Sequence, residues 1–444
     1  MNTRTISDAA ARAASRPKTN IRTRMLAVVA LAVVINYLDR AILGIASPSI
    51  RTEFSISPAE MGFVFSAFSW SYLAFQIPGG VVLDRLGNRL VYTLALIGWS
   101  LFTILQGFTS GLTSFFVARL GLGVFEAPCF PANSNIVGKW FPRSERGRAI
   151  GVYTAAEYVG LGFLSPILFL LLGNFGWRSL FLVTGVIGII IGALMWSIYR
   201  DPYDSKSAND AELQYIQAGG GLTTKDASGT KFSMENVREL FRHRQMWGLC
   251  IGQFSVYSTF VFFLTWFPTY LATQRHMAFI SVGIYASVPY IAGFFGILFA
   301  GFLSDFLLKR TSLNVARKLP VITGLLLAST IISVNFVSDN NLVLAILSVA
   351  FFGQAMSSSG WAVLSEISPK GLLGLVGGFF SFAANLSGIV VPIAIGYIVQ
   401  VTGTYVGALA FIGIVAAIGA VSWIFVIGDI HVLDVKVKGS ATEA

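Results

Sequence analysis

Two ionisable residues, Asp39 and Arg40, lie side by side within an apolar stretch that runs from about residue 25 to residue 48. That stretch is long enough to cross a bilayer, where a full charge at the helix centre costs at least ~2.5 to 3.5 kcal/mol. Charges at such a position are therefore expected to serve a function. A carboxylate can carry a proton, and a guanidinium can bind an organic anion through two parallel hydrogen bonds.

A second pair of ionisable residues lies within another apolar stretch. Arg119 and Glu126 are seven residues apart, nearly two helical turns, so they share one face of a helix. With Asp39 and Arg40 they supply two carboxylates and two guanidiniums, which can exchange partners when one acid is protonated. The alternative interpretation is a static network of buried ion pairs that fixes helix packing.

Histidine is a poor candidate for an intramembrane proton carrier in this chain. All three histidines lie in loops or near the ends of apolar stretches: His243, His276 and His431. Among the acids, only Asp39, Glu126 and Glu157 fall well inside apolar stretches, so carboxylates are expected to carry any coupled proton. Because the histidines form no metal or nucleophile constellation, we expect neither enzymatic activity nor a cofactor. Protons are the expected coupling ion.

The composition is that of a protein with many membrane spans. Of the 444 residues, 55% are hydrophobic and 12% are charged, and the mean hydropathy is +0.72, whereas a soluble domain has ~25% charged residues. The net charge of +10 is distributed between apolar stretches, so it indicates topology in a lipid bilayer rather than a nucleic-acid partner. Cys129 and Cys250 lie in or beside apolar stretches and imply neither a disulfide framework nor a metal cluster.

Apolar windows of about twenty residues predict an all-α integral membrane protein with twelve transmembrane helices in two six-helix bundles. The predicted spans are residues 25–48, 60–83, 90–109, 112–138, 149–172, 178–199, 245–272, 280–306, 319–338, 341–365, 371–399 and 404–427. The N-terminal bundle with its N-terminal arm comprises residues 1–199, and the C-terminal bundle with a short tail comprises residues 245–444. Between them, residues 200–244 are predicted to form a cytoplasmic linker with a short helix over 211–217.

Lysine and arginine concentrate in alternate loops, which predicts that both chain termini are cytoplasmic. One basic loop, after the second predicted span, carries the pattern Gly-x-x-x-Asp-Arg-x-Gly-x-Arg. Its residues are Gly80, Asp84, Arg85, Gly87 and Arg89. Part of the pattern recurs over residues 301–310, after the eighth predicted span, which indicates an internal repeat of two six-helix halves.

These features together resemble a major facilitator superfamily transporter, whose loop signature is the pattern at residues 80–89. More closely, the chain resembles the anion:cation symporter family of bacterial sugar-acid transporters, of the galactonate, glucarate and hexuronate type. Besides that loop, the resembling stretches are residues 37–40, 60–70, 76–80, 126–128, 140–142, 145–146 and 265–268.

The resemblance implies the major facilitator fold and proton-coupled symport of an organic anion into the cell by alternating access. A sugar acid is the first expectation for that anion. It also implies Arg40 for the substrate carboxylate, Asp39 and Glu126 for protons, and Arg119 as an ion-pair switch. The loop at residues 80–89 is implied to act in the conformational change. The implied location is the bacterial cytoplasmic (inner) membrane, and the chain is expected to function as a monomer.

Polar side chains in the predicted C-terminal spans are candidates to bind sugar hydroxyls, as is Tyr72 on the second span. They are Gln253, Tyr257, Gln354, Ser357, Ser358, Trp361, Ser381 and Asn385. Taken singly, each is about as well explained by an interhelical hydrogen bond.

Two positions depart from the galactonate-type pattern: Glu157 stands where those proteins tend to carry glutamine, and Ser381 where they tend to carry asparagine. We also interpret Glu157 as a residue of the substrate site, with pairing to a neighbouring helix as the alternative.

Three other functions stay open at this point. A dicarboxylate or aromatic carboxylate of the tartrate or phthalate type is the alternative substrate, because the resembled family includes such transporters. Antiport is less favoured, since Leu164-Ser165-Pro166 only partly matches the superfamily's antiporter motif. A transporter-like sensor would usually add a soluble signalling domain, and the linker and the tail are too short for one.

Overall fold

A computed structural model describes residues 18–221, 234–277, 279–369 and 372–434, and every regular element within these ranges is helical. The predictions for the N-terminal arm before residue 18, for linker residues 222–233 and for the tail after residue 434 concern residues outside the described ranges.

Twelve helical rods follow one another along the described chain, and we number them as the first to the twelfth span. They are Ile21–Phe54, Pro58–Leu86, Asn88–Gln106, Leu112–Glu126 with Cys129–Trp140, Arg143–Phe163 with Ser165–Phe175, Trp177–Ile198, Arg244–Thr265 with Phe267–Thr273, Phe279–Leu308, Leu313–Ser329 with Thr330–Phe336, Asn340–Ser357 with Ser358–Ala362 and Val363–Ile367, Leu373–Thr402, and Val406–Val421 with Ser422–Val426. The predicted all-α fold is confirmed. Eleven of the described rods are long and apolar enough to cross a membrane. The remaining rod, the second span, has 29 residues and packs against the fourth and eleventh spans.

Some spans, such as the first two, extend beyond their apolar windows, because a helix continues into its polar flanks until a capping signal ends it. The first span runs to Phe54, where Ser55 adopts a left-handed conformation with φ 52°. The second span begins with a capping box, in which the Ser57 hydroxyl accepts from the Glu60 N–H at 3.3 Å and the Glu60 carboxylate accepts from the Ser57 N–H at 2.8 Å. These caps place a tight turn between the two helices.

The predicted linker helix is present as Asp210–Ala218. Its buried Glu212 side chain accepts hydrogen bonds at 3.1 Å from the backbone N–H groups of Ile21 and Arg22. Arg22 also forms ion pairs at 3.1 Å with Glu212 and with Glu145. A carboxylate at a helix N-terminus satisfies free N–H groups and favours the helix dipole, so this part of the linker is fixed to the N-terminal half.

The two halves meet through the second and eleventh spans and through the fifth and eighth spans. At one end the approach is close: a Cβ at Gly62 would lie 2.5 Å from the Pro392 carbonyl oxygen, and a Cβ at Gly396 would lie 2.5 Å from the Pro58 carbonyl oxygen. Gly80 and Gly378 lie about five full turns away on the same faces of these two helices. A Cβ at either would meet no neighbouring atom within 4 Å.

The halves therefore pack together at one end and diverge toward the other. The diverging end carries the basic loops, including Arg85 and Arg89. At the packed end, the Ala59 N–H donates to the Gln400 side chain across the two halves at 3.1 Å, and the rings of Phe65 and Trp266 meet with centroids 5.3 Å apart.

Candidate functional site

The centre of the molecule contains an ion pair between Arg40 of the first span and Glu126 of the fourth. The Arg40 Nε donates to Glu126 Oε1 at 2.6 Å, and Nη2 contacts the same oxygen. Both side chains are buried. The third nitrogen, Nη1, donates to the Tyr257 hydroxyl of the seventh span at 3.3 Å. One guanidinium thus connects a carboxylate of the N-terminal half to a hydroxyl of the C-terminal half.

The second oxygen of Glu126, Oε2, is buried and has no hydrogen-bond partner among the described residues. Asn36, one turn before Arg40, lies next to Glu126, and its amide is also without a partner in the described chain. Buried polar atoms are normally hydrogen-bonded. An oxygen left free in this way is a position at which the carboxylate can take up a proton.

Aromatic rings surround the Arg40 guanidinium. Its Cζ atom lies 5.0 Å from the centroid of the Tyr37 ring, 4.6 Å from that of Phe68 and 5.3 Å from that of Tyr72. Cation–π attraction at such distances is worth ~0.5 to 2 kcal/mol, and more when water is excluded. Tyr72 therefore contacts the site through its ring.

Asp39 faces away from Arg40, because neighbouring residues on a helix project in different directions. Its Oδ2 accepts from the Trp99 indole N–H of the third span at 3.1 Å, while Oδ1 has no partner within the described ranges. Thr103 and Thr184 lie beside the carboxylate, but their hydroxyls donate to backbone carbonyls of their own helices. The structure places Asp39 inside the N-terminal half rather than at the contact between the halves.

Arg119 lies on the same side of the fourth span as Glu126 and is likewise buried, yet the two make no ion pair in the described structure. Of the four charges expected to form one exchanging set, the structure pairs only Arg40 with Glu126. Asp39 and Arg119 occupy separate positions near that pair.

Glu157 of the fifth span is buried close to the same centre. Its carboxylate is in hydrogen-bonding contact with Tyr37, which lies one turn before Arg40. The next residue, Tyr158, contacts the side chains of Gln354 and Ser358 on the tenth span. Glu157 therefore lies where the fifth span approaches the C-terminal half.

A small cavity lies between the halves, with a volume of about 30 Å³, which is room for one or two water molecules. Its polar lining comes from both halves: Arg40, Ser69, Arg119, Tyr257, Thr265 and Asn385. A six-carbon acid requires more space than this, so the halves must separate further to admit one.

The other predicted C-terminal residues surround this centre at different depths. Gln253 is buried one turn before Tyr257. Asn385 donates to the Ser381 carbonyl at 2.9 Å, and Trp361 is 48% exposed with its ring against Phe380, centroids 4.8 Å apart. Trp361 and Ser381 therefore lie toward the diverging end rather than at the cavity.

The loop motif lies outside the charged centre, at the diverging end. Arg89 donates to the Trp196 carbonyl at 3.0 and 2.8 Å, and its Cζ lies 4.0 Å from the centroid of the Trp196 ring. Gly87 ends the second span with a φ of 81°, which only glycine adopts easily. Asp84 and Arg85 are exposed.

No role in the site was predicted from the sequence for three neighbours of the charged centre: Asn36, Phe68 and Trp99. Phe68 and Trp99 are aromatic residues of apolar helices, and such residues usually contact lipid or other helices. Only the spatial arrangement shows that Trp99 donates to Asp39 and that Phe68 lies against two arginines.

Comparison with known proteins identifies the family. Residues 29–325 match the model of the Major Facilitator Superfamily. A D-galactonate transporter of Escherichia coli O6:H1 is 43% identical over 410 residues, covering 91% of this chain and 95% of that protein. A probable galactarate/D-glucarate transporter of Escherichia coli K12 is 40% identical and covers 94% of this chain and 96% of its own length.

Solved structures show the same fold at low sequence identity. A D-xylose-proton symporter aligns with a TM-score of 0.69 and 16% identity, covering 92% of this chain and 99% of that one. A bacterial homologue of the human lysosomal transporter Spinster aligns with a TM-score of 0.68 and 19% identity, covering 92% and 97%.

Proposed function

This chain belongs to the major facilitator superfamily, and from that premise we propose that it is a proton-coupled symporter that carries a sugar acid of the galactonate, glucarate or hexuronate type into the cell. It is a multi-pass membrane transporter and not an enzyme, since the family and the relatives are transporters. The names of two close relatives, a D-galactonate transporter and a probable galactarate/D-glucarate transporter, support the substrate class.

The observation that carries the proposal is the Arg40–Glu126 pair and its link to Tyr257. A guanidinium bound to a carboxylate in a site between two halves can exchange that carboxylate for the carboxylate of a substrate. The exchange becomes favourable when Glu126 is protonated at its free Oε2, because neutral Glu126 no longer balances the charge of Arg40. Proton binding and anion binding then favour one another.

Asp39 is the second proton carrier in this mechanism. Its Oδ1 is free within the described chain and its Oδ2 accepts only from Trp99. Because Asp39 lies on the first span directly before Arg40, a change in its charge alters the electrostatic field at the substrate site. No cofactor beyond the coupling protons enters the mechanism.

The positions of the basic loops indicate which side of the membrane the diverging end faces. The positive-inside rule assigns these loops, and with them both termini, to the cytoplasm of a bacterial inner membrane. Since the halves diverge at that end, the conformation is then inward-facing, and the Gly62–Pro392 and Gly396–Pro58 contacts close the outer side. Transport by alternating access requires these contacts to separate while the loop motif at residues 80–89 closes the inner side. A monomer contains both halves and is sufficient for this cycle.

The C-terminal half is proposed to bind the sugar hydroxyls. Asn385, Gln253 and Tyr257 are buried or partly buried polar groups near the cavity, and Ser358 lies against Tyr158. Ser381 and Trp361, which lie toward the diverging end, are proposed to contact substrate only as it enters or leaves from that side. Hydroxyls, amides and an indole N–H supply both donors and acceptors for a polyol chain.

Uptake into proteoliposomes tests the proposed function. With purified protein and an outside pH one unit lower, labelled D-galactonate or glucarate is expected to accumulate, because each coupled proton supplies ~1.4 kcal/mol per pH unit, or about tenfold accumulation at zero potential. Collapsing the gradient with a protonophore is the control. Accumulation driven by sodium at fixed pH, without any response to the proton gradient, would show that the coupling ion is wrong.

Glu157→Gln tests whether Glu157 is part of the substrate site. The amide keeps the shape and the contact with Tyr37 but cannot ionise. We expect proton-coupled transport to persist while the relative rates for different sugar acids change several-fold, since a group beside the Arg40 centre changes its hydrogen-bonding character. Competition of unlabelled acids against one labelled substrate measures this ranking.

Two results would contradict the assignment of Glu157. If both the ranking and the pH profile are unchanged, Glu157 serves helix packing. If transport loses its pH dependence altogether, Glu157 carries an obligatory proton instead. Glu53→Gln is the matched control, because Glu53 is an exposed acid that pairs with Arg178 at the end of the first span.

A further inference from the structure

Arg119 is a buried cation that forms no ion pair with any described residue. Its side chain is 3% exposed, and its Nε and Nη1 atoms have no hydrogen-bond partner in the described parts of the chain. Neither Glu126 nor Asp39 pairs with it in the described structure: Glu126 contacts Arg40 through Oε1, and Asp39 accepts from Trp99 through Oδ2. An unpaired buried charge is costly, so a compensating group is expected to bind here during the transport cycle.

The free guanidinium is directed to the space where substrate would bind. Arg119 lines the cavity between the halves together with Arg40. A desolvated and unpaired guanidinium presents planar N–H donors that can bind a carboxylate bidentately. An incoming carboxylate would supply both the missing charge and the missing acceptors.

Arg40 and Arg119 lie against one aromatic ring. The Cζ atoms of Arg40 and Arg119 are 4.6 Å and 5.3 Å from the centroid of the Phe68 ring. The two guanidiniums are therefore separated by no more than the sum of these distances, so that one bound substrate can contact both. A monoacid can neutralise only one of the two cations once Glu126 is protonated, whereas a diacid can neutralise both.

We propose that Arg119 binds a second carboxylate of the substrate, so that the site selects sugar diacids over sugar monoacids. This assignment presupposes the sugar-acid transport proposed above and specifies its substrate class. Arg40 binds one terminal carboxylate and Arg119 the other, while the groups of the C-terminal half contact the hydroxyls between them.

Galactarate and D-galactonate form a matched pair for the test, because they differ only in carrying a carboxylate or a hydroxymethyl group at one end. Affinities of both acids for the purified full chain are measured by calorimetry or thermal shift. The wild type is expected to bind galactarate at least tenfold more tightly. In Arg119→Gln, the affinity for galactarate is expected to fall roughly ten- to hundredfold, the loss of one charge-assisted contact, and the preference to approach parity. Arg178→Gln, a change at an exposed ion pair, keeps the preference and is the control.

Three results would overturn the assignment. Equal losses for both acids in Arg119→Gln would mean that Arg119 binds the carboxylate that the two acids share. Equal affinities in the wild type would mean that the site makes no use of a second carboxylate. If Arg119→Gln does not fold, the affinity of the wild type for the monomethyl ester of galactarate is compared with its affinity for the diacid. An ester that binds as tightly as the diacid overturns the assignment. Binding of neither acid to the wild type refutes the proposed function itself and is distinguishable from all of these.

Discussion

Arg40→Lys is expected to weaken sugar-acid binding by roughly ten- to hundredfold, although it keeps the positive charge. The Arg40 guanidinium contacts Glu126 with two nitrogens and Tyr257 with the third. An ammonium is a point charge without the planar fork, so it cannot hold a carboxylate bidentately while donating to the opposite half. Loss of a charge-assisted hydrogen bond costs ~1.5 to 3 kcal/mol, which sets the expected range.

Binding by the purified variant is the measurement for Arg40→Lys, with its melting temperature as the check on folding. Arg178→Lys makes the same chemical change in an exposed pair with Glu53 and should leave affinity unaltered, because exposed pairs contribute little. A well-folded Arg40→Lys protein with wild-type affinity would remove Arg40 from the substrate site.

The architecture could be predicted from the sequence because membrane helices are defined by length and hydropathy. Windows such as 178–199 and 280–306 lie within a few residues of the observed Trp177–Ile198 and Phe279–Leu308. Helix ends were less accurate, because capping residues such as Ser57 act beyond the apolar core. The selection of Arg40 and Glu126 as candidates was also possible from the sequence, since charges within apolar helices are rare, and both are buried in the structure.

The pairing of the charges could not be predicted from the sequence. Asp39 is the neighbour of Arg40 in the chain, but the helix directs the two side chains apart, and Arg40 pairs with Glu126, 86 residues away. Seven-residue spacing placed Arg119 and Glu126 on one face, but it did not predict that Arg119 would lack an ion pair in the described structure. The role of Trp99 depends on the packing of the third span against the first, which no local pattern records.

The unequal environments of the two central acids suggest different roles. Glu126 forms an ion pair with Arg40 at the contact between the halves, so in the proposed mechanism its protonation directly controls whether Arg40 is free for a substrate. Asp39 is enclosed by the third and sixth spans, so in the proposed mechanism it acts on the site only through its electric field and the packing of the first span. Substitution of Glu126 should therefore have the more direct effect on coupling.

Glu126→Gln is expected to abolish accumulation driven by a proton gradient while preserving exchange of labelled for unlabelled substrate. Glutamine reproduces the neutral, protonated form of Glu126 in shape, and its oxygen can still accept from Arg40. The Arg40 charge is then balanced only by substrate, so binding should be at least as tight as in the wild type and should lose the pH dependence that titration of Glu126 contributes. Counterflow and gradient-driven uptake are measured in the same proteoliposome preparation, and binding is measured across pH 5 to 8, the range about neutrality in which a coupled carboxylate must titrate.

Glu53→Gln is the control for this substitution, because it removes an exposed carboxylate of the first span and should leave accumulation intact. If Glu126→Gln still accumulates substrate in response to the pH gradient, the coupled proton is carried elsewhere, and Asp39→Asn becomes the deciding variant. If exchange is lost together with accumulation in a folded protein, the negative charge of Glu126 is needed to release substrate from Arg40 rather than only to couple its movement to protons. Retained exchange with lost accumulation is the combination that identifies Glu126 as the carboxylate that competes with substrate for Arg40 and releases Arg40 when it takes up the coupled proton.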